Sequence, residues 1–459
     1  MVALIKALQV ILALSILILF HELGHYTFAK IFKIKVDKFF LFFDAGGTFL
    51  FSTKRSKWFV KLCPKALDWE TEYGIGWLPL GGYCKIAGMI DESMDREQLA
   101  QPAKPWEFRS HGPWQRLLVM VGGVLYNFIF ALLAFVAIAG FWGDSYIPVK
   151  GSQIYASPLA TEMGFRTGDE ILAFDDWQPE NFGMLQADLV RRGVREATVL
   201  RGSDTLKLYI DQNYTRDMLN AELMFDLAIP FVIDSVAGVN TALEQGDRVV
   251  AFDGTAVSYL QDARPVLAGL AGRSVEATVV RGADTLAVPV QVDSAGRIGV
   301  YMHTPRPVVR KYSFWQAFPA GWRLTGEMLR GYLQDLRLLV KPSSGAYKSV
   351  GSFIAIGQIF PAVWDWYRFL YILGMLSIML AVMNLLPIPA LDGGHILFTL
   401  VEIITGRKPS DKFMMAAQWV GMILLLALMV LAFGDNRKTP YSNSPWVSME
   451  KSPIAAPNL

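Results

Sequence analysis

The chain has 459 residues, of which 53% are hydrophobic and only 18% charged. Soluble domains are roughly 45–50% apolar and about 25% charged, so the composition excludes an ordinary soluble protein and points to an integral membrane protein with a substantial soluble part. The formal net charge of +2 and the lack of a long basic run give no electrostatic footprint for nucleic acid, which is not expected as a partner.

A membrane-crossing helix needs about 20 mostly apolar residues. Four stretches qualify: Leu4–Phe32, Leu117–Phe141, Phe369–Leu386 and Met414–Phe433. The first lacks an A-x-A-like cleavage site, and its apolar run exceeds the roughly 7–15 residues of a signal-peptide core, so a retained helix is expected. Lys30, Lys33, Lys35 and Lys38 follow it, Arg109 and Arg116 precede the second span, and Arg407, Lys408 and Lys412 lie between the third and fourth. Basic residues near helix ends mark the cytoplasmic side, which puts both termini and the segment 144–365 outside. Lys6, Arg437 and Lys438 run mildly against this rule.

The first span carries His21-Glu22-Leu-Gly-His25. An ionised group near the bilayer centre costs roughly 3 kcal/mol or more, so these residues are expected to have a function. Histidines at i and i+4 leave a helix on one side, a spacing that suits two ligands of one tetrahedral zinc, with Glu22 as the general base. The plainer alternative is a pair of histidines hydrogen-bonded within a helix bundle.

After this span, "DKFFLFFDAGGTFLFSTK" reads as two apolar strands around an Ala-Gly-Gly turn, a hairpin close to the first helix. Its exposed edge, with Phe39, Gly46, Gly47 and Phe51 as candidates, can pair with an extended peptide; otherwise the hairpin only packs on the protein. "GIGWLPLGGY" offers a further strand. Cys63 and Cys84 fit no metal or redox spacing and read as unpaired thiols. The second span contains one polar residue of note, Asn127.

The outer segment is duplicated. Gly168-Asp169, Ala173-Phe174-Asp175, Arg201-Gly202 and Asp204-Thr205-Leu206 match Gly246-Asp247, Ala251-Phe252-Asp253, Arg281-Gly282 and Asp284-Thr285-Leu286. Each copy reads as a Gly-Asp turn, a strand, a helix and two strands joined by a turn. With "SPLATEMGFRTGDEILAFDD", residues 145–308 resemble two tandem PDZ domains, α+β modules that bind extended peptides at a sheet edge or serve only as spacers. "SFWQAFPAGWRLTGEMLRGYLQDLRLLV" reads as an amphipathic helix at the outer membrane surface, and "KPSSGAYKSVGS" as a connector.

The third span ends "NLLPIPALDGGH", carrying Asn384, Pro387, Pro389, Asp392 and His395. It runs in the same direction as the first span, and its acid lies at the same, inner end. At about 1.5 Å per residue, His21 and Asp392 share the inner third of the bilayer. Asp392 is therefore expected as the third ligand of a single zinc ion, with the fourth position left open. His395 is read as a neighbour of the site, since a fourth protein ligand would close it. Prolines break the helix, which membrane depth tolerates only where backbone is buried or lines a cavity, and Gly393-Gly394 allow close approach. Asn384 and Asn127 are candidates for contacting the developing oxyanion, or else hydrogen-bond between helices.

His21-Glu-Leu-Gly-His25 together with Asn384-x-x-Pro-x-Pro-x-Leu-Asp392-Gly resembles the site-2 protease family of intramembrane zinc metalloproteases. "GGVLYN", ending in Asn127, and "TEYGIGWLPLGGYCKIAGM" fit it too, whereas Gly351-Ser352 stands where relatives tend to carry Gly-Pro. The resemblance implies an inner-membrane enzyme that unwinds and cuts single-pass membrane proteins already trimmed on the periplasmic side. It favours Asn384 as a contact to the substrate backbone, with Pro387 and Pro389 as further substrate-binding candidates beside Asn127. The tandem repeats place it nearest the members that cut anti-sigma factors and signal-peptide remnants in stress signalling, where the PDZ pair acts as a size filter. The competing readings are a non-catalytic membrane scaffold with a structural metal and a zinc transporter. The expected fold is a polytopic α-helical membrane protein of four transmembrane helices, with a membrane-associated β-hairpin or sheet and two PDZ-like domains. Its parts are a first membrane half (1–143), the repeats (144–222 and 223–308), helix and linker (309–364), a second membrane half (365–436) and a polar tail (437–459).

Overall fold

The computed structural model describes residues 2–79, 81–89, 102–302, 304–305, 307–341, 357 and 359–434. The expected connector, the Gly351-Ser352 departure and the polar tail lie outside the described residues. The chain divides into two compact units. One comprises Met1–Gly143, Lys311–Leu333 and Val350–Lys438, the other Asp144–Arg310, Gln334–Ser349 and Thr439–Leu459.

The first unit is built on α1 (Val2–Ile31), α2 (Pro113–Phe141) and α3 (Trp366–Leu385), followed by α4 (Asp392–Thr405) and α5 (Asp411–Gly434). Among the described residues, α1, α2 and α3 are long and apolar enough to cross a membrane. The expected fourth span falls in α5, where the qualifying apolar stretch is the shorter Lys412–Ala427. Three spans are therefore seen where four are expected. α2 begins with Pro113 just inside its start, where a missing N–H costs nothing. It ends where Gly143, at φ 83°, donates its N–H to the carbonyls of Ile138 and Ala139.

Small residues let these helices approach closely. A Cβ on Gly24 of α1 would lie 2.1 Å from the Gly122 carbonyl oxygen of α2. The N-terminal part of the helix Phe314–Val340 packs likewise, with Gly321 against Val136. Its Ala317, Ala320 and Met328 are buried while Phe314, Trp315 and Trp322 are exposed, the two-faced pattern expected for it.

α4 was not foreseen, because its flanking Pro and Gly residues read as loop. It is tied to α2 by a buried ion pair, Arg116 Nη2 to Glu402 Oε1 at 2.5 Å. Removing one partner of such a pair leaves an uncompensated charge and costs about 3–5 kcal/mol. Arg116→Leu is expected to lower the thermal unfolding temperature in detergent clearly. Glu402→Gln combined with Arg116→Leu should recover part of the loss.

The loop between α1 and α2 forms a sheet of β1 (Val36–Leu41), β2 (Phe49–Ser52), β3 (Glu72–Gly76) and β4 (Tyr83–Ile86), in the order β2-β3-β1-β4. The expected hairpin is not formed. β1 and β2 are neighbours in sequence, but β3 inserts between them, parallel to β1 and antiparallel to β2. A buried polar network fastens the fold: Asp44 accepts from Arg55 Nη2 and Tyr83 Oη, each at 2.8 Å, while Arg55 Nε donates to Glu72 and Ser52 Oγ donates to the same carboxylate. Burial opposes ionisation of Asp44. Hydrogen bonds from Arg55 and Tyr83 and the charge of Lys38 outweigh it, holding the carboxyl below its ordinary range.

In the second unit the duplication is structural. β5 (Glu170–Phe174), β6 (Glu196–Arg201) and β7 (Asp204–Tyr209) form one antiparallel sheet, matched by β8 (Arg248–Phe252), β9 (Ser274–Arg281) and β10 (Asp284–Gln291). Both first strands shift register at the same place, between Ile171 and Ala173 and between Val249 and Ala251. The repeated Asp and Arg are a repeated clamp. Arg201 grips the buried Asp169 with two hydrogen bonds of 2.7 and 2.8 Å, and Arg281 grips the buried Asp247 with two of 2.7 Å. The strand Phe225–Leu227, beyond the boundary expected at 222, pairs back with Ile154–Ala156.

Candidate metal centre

His21, Glu22 and His25 lie in one turn and a half of α1. Asn384 is in the last turn of α3, and Asp392 opens α4. Between them the loop 386–391 folds tightly onto the start of α4. A Cβ on Gly393 would lie 2.0 Å from the Leu386 carbonyl oxygen, and one on Gly394 would lie 2.7 Å from Pro389 Cα. The two glycines are thus what lets Asp392 face back toward α1. Ala390 takes a positive φ of 85°, and its N–H donates to Gln418 Oε1 of α5 at 3.2 Å. Gly421 of α5 leaves room for the Pro389 carbonyl.

The result is a triangle. His21 Nε2 to Asp392 Oδ2 is 3.2 Å, His25 Nε2 to the same oxygen is 3.4 Å, and the two nitrogens are 3.3 Å apart. Zinc bonds of about 2.0–2.1 Å in a tetrahedron put ligand atoms about 3.3–3.4 Å from one another. The three atoms therefore have the spacing of three tetrahedral corners. Asp392 Oδ2 is buried and makes no hydrogen bond of its own, although it sits beside two imidazole nitrogens. A cation held by the three groups would supply the partner that this oxygen lacks. The residues present fit the zinc expected from the sequence. Among the described residues, this is the group of His, Cys, Asp and Glu side chains that converges in this way, and His395 is not part of it.

Glu22 is half-buried beside His21 on α1. Asn384 Nδ2 is 3.3 Å from His21 Nε2, next to the triangle. Asn127 Nδ2 is 3.1 Å from His21 Nδ1, on the far side of the ring. Sequence reasoning grouped the two asparagines, and the structure separates them. Pro387 is exposed and Pro389 half-buried in the loop beside the site. The expected strand-addition residues are dispersed. Phe39 is in β1, whose two edges are already taken by Tyr73 of β3 and Cys84 of β4, so it has no edge to offer. Its ring instead packs on Tyr26 of α1, with centroids 5.3 Å apart. Gly46 and Gly47 form the turn at the tip, with positive φ. Phe51 is on the outer strand β2, against Trp58 and Phe59. The other outer strand, β4, starts beside α1. A Cβ on Gly82 would meet Ile18 of α1 at 2.7 Å, one turn before His21. Sequence reasoning missed the weight of this Gly81-Gly82 pair, although adjacent glycines before a strand do signal close backbone approach. It also missed Val119 of α2, which with Gly123 of the quoted "GGVLYN" stands against the two histidines. Cys63 and Cys84 are half-buried and form no disulfide.

The sequence profile of peptidase family M50 matches residues 9–428. A protein of Xylella fastidiosa named "Putative zinc metalloprotease" is 29% identical, over 92% of this chain and 96% of that one. The regulator of sigma-E protease RseP of Escherichia coli is 27% identical, over 93% of this chain and 97% of that one.

Proposed function

This chain belongs to peptidase family M50 and is a zinc metalloprotease of the site-2 type, and we propose that it cuts the membrane-spanning segments of single-pass proteins at the centre formed by His21, His25, Asp392 and Glu22. The observation that carries this reading is the triangle of His21 Nε2, His25 Nε2 and Asp392 Oδ2, with sides of 3.2–3.4 Å, contributed by helices at opposite ends of the chain.

Zinc held by these three residues supplies Lewis acidity, polarising a peptide carbonyl and activating water near neutral pH. Glu22 takes the proton of the attacking water and returns it to the departing amine. Asn384, on the Nε2 side of His21, donates its amide N–H to the oxygen on which charge develops. A helical substrate hides its amides in its own hydrogen bonds, so it must be held extended. The open edge of β4, beside Ile18, is where an unwound strand would pair.

The finer assignments follow the same resemblance. The enzyme sits in the inner membrane with its centre toward the cytoplasm and its repeats and both termini in the periplasm. The duplicated modules serve as PDZ-type size filters, and α5 is a fourth crossing. An anti-sigma factor and signal-peptide remnants are the substrates.

The test is zinc analysis of the purified protein together with cleavage of a test substrate carrying one membrane span. Glu22→Gln should retain one zinc per chain and lose at least about 10²-fold in cleavage rate. Undiminished cleavage by that variant removes Glu22 from the chemistry. A wild-type protein that binds no zinc leaves only a membrane scaffold.

A further inference from the structure

One face of α2 runs past both histidines. Val119, Gly123 and Asn127 are spaced i, i+4, i+8 and so lie in a line along the helix. A neutral imidazole carries its proton on one nitrogen, and the partner of that nitrogen decides which one keeps a lone pair for a metal. For His25 the structure settles the matter. Its Nδ1 is 2.9 Å from the Val119 carbonyl, which can only accept. Nδ1 therefore carries the proton, and the lone pair is on Nε2, at the triangle. The approach depends on residue 123 being glycine. A Cβ there would lie 2.5 Å from His25 Nε2 and 2.7 Å from His21 Cε1.

His21 needs the same arrangement, a proton on Nδ1 with an acceptor facing it. The group that faces it is the amide of Asn127, at 3.1 Å. Asn127 is fully buried, and its Oδ1 has no hydrogen-bond partner. A half-turn of the amide about its last side-chain bond exchanges its donor and acceptor corners. Oδ1 then accepts from Nδ1–H, and His21 Nε2 is left with its lone pair aimed at the triangle.

Building on the metalloprotease reading, we propose that Asn127 is a positioning residue that sets the tautomer of His21, so that one face of α2 orients both metal-ligating histidines. This differs from an oxyanion contact, because Asn127 is behind the ring, at Nδ1, while the reacting atoms gather at Nε2, where Asn384 stands.

The experiment uses the purified full-length protein and measures zinc affinity by competition with a chelator. Asn127→Leu, of similar size but without an acceptor, should bind zinc about 10–100-fold more weakly. Asn127→Asp, which keeps an acceptor at the same place, should restore affinity to near the wild-type value. Wild-type affinity in the leucine variant overturns the proposal, and so does a loss of cleavage there with zinc affinity unchanged, which would mark a contact to substrate. If the leucine variant does not fold, ¹⁵N-histidine spectra of the zinc-loaded wild type decide: a proton on His21 Nδ1 supports the proposal and one on Nε2 overturns it. His21→Ala separates the two layers. Unchanged zinc affinity in that variant sinks the metalloprotease reading and this inference with it. Lost affinity there beside an unaffected Asn127→Leu sinks the inference alone.

Discussion

Asp392→Ala is expected to abolish cleavage and to weaken zinc binding by about 10³-fold. Structural zinc sites hold their ion by about 10–16 kcal/mol in all, so one protein ligand of three carries roughly 4 kcal/mol, which is about a thousandfold. Asp392 is also the sole anion among the three converging groups. Its Oδ2 is the shared corner, 3.2 and 3.4 Å from the two imidazole nitrogens. The measurement is zinc affinity alongside turnover of a single-span substrate. An alanine variant with wild-type affinity would mean that the histidines bind metal without the distant carboxylate, and the proposed centre would be wrong.

Gly24→Ala is expected to disable the enzyme without touching a reactive atom. Gly24 precedes His25 and meets Gly122 of α2 backbone to backbone. One added methyl group would sit 2.1 Å from the Gly122 carbonyl oxygen, so α1 and α2 must separate by more than about 1 Å to restore ordinary contact. A displacement of that size at a catalytic constellation costs about 10²-fold in rate, and overpacking adds about 1–3 kcal/mol of destabilisation. Zinc affinity should fall in parallel, because Val119 and Asn127 on the same helix withdraw from the two rings. Circular dichroism melting, chelator competition and cleavage rate together test this. Alanine at position 24 with all three unchanged would show that the crossing is looser than its backbone contact implies.

The convergence of His21, His25 and Asp392 was legible in the sequence because its pattern is written locally. His21 and His25 announce a shared face by spacing alone, and Asp392 stands out as an acid beside two prolines and two glycines at the right depth. What was not legible depends on pairings between distant segments. Nothing in "DKFFLFFDAGGTFLFSTK" says that β3 will slide between β1 and β2, since parallel pairing of β1 with β3 needs a crossover through the intervening chain. From sequence Phe39 therefore reads as an available edge, whereas it is enclosed on both sides. α4 was missed because glycine and proline predict breaks, and here the glycines serve close packing at a helix start. Asn127 stands out in the sequence as a polar residue in an apolar span, but its partner, the ring of His21, is on another helix. The repeats were the easiest part, because the matched Asp and Arg that align in sequence are one clamp made twice.

The order in which the site is assembled matters for biogenesis. α1, with both histidines and Glu22, is translated long before α3 and α4, and the loop that aims Asp392 rests on Gln418 and Gly421 of α5. If this is the centre that cuts, a growing chain that already carries the histidines stays incomplete until α5 has been made and packed against that loop.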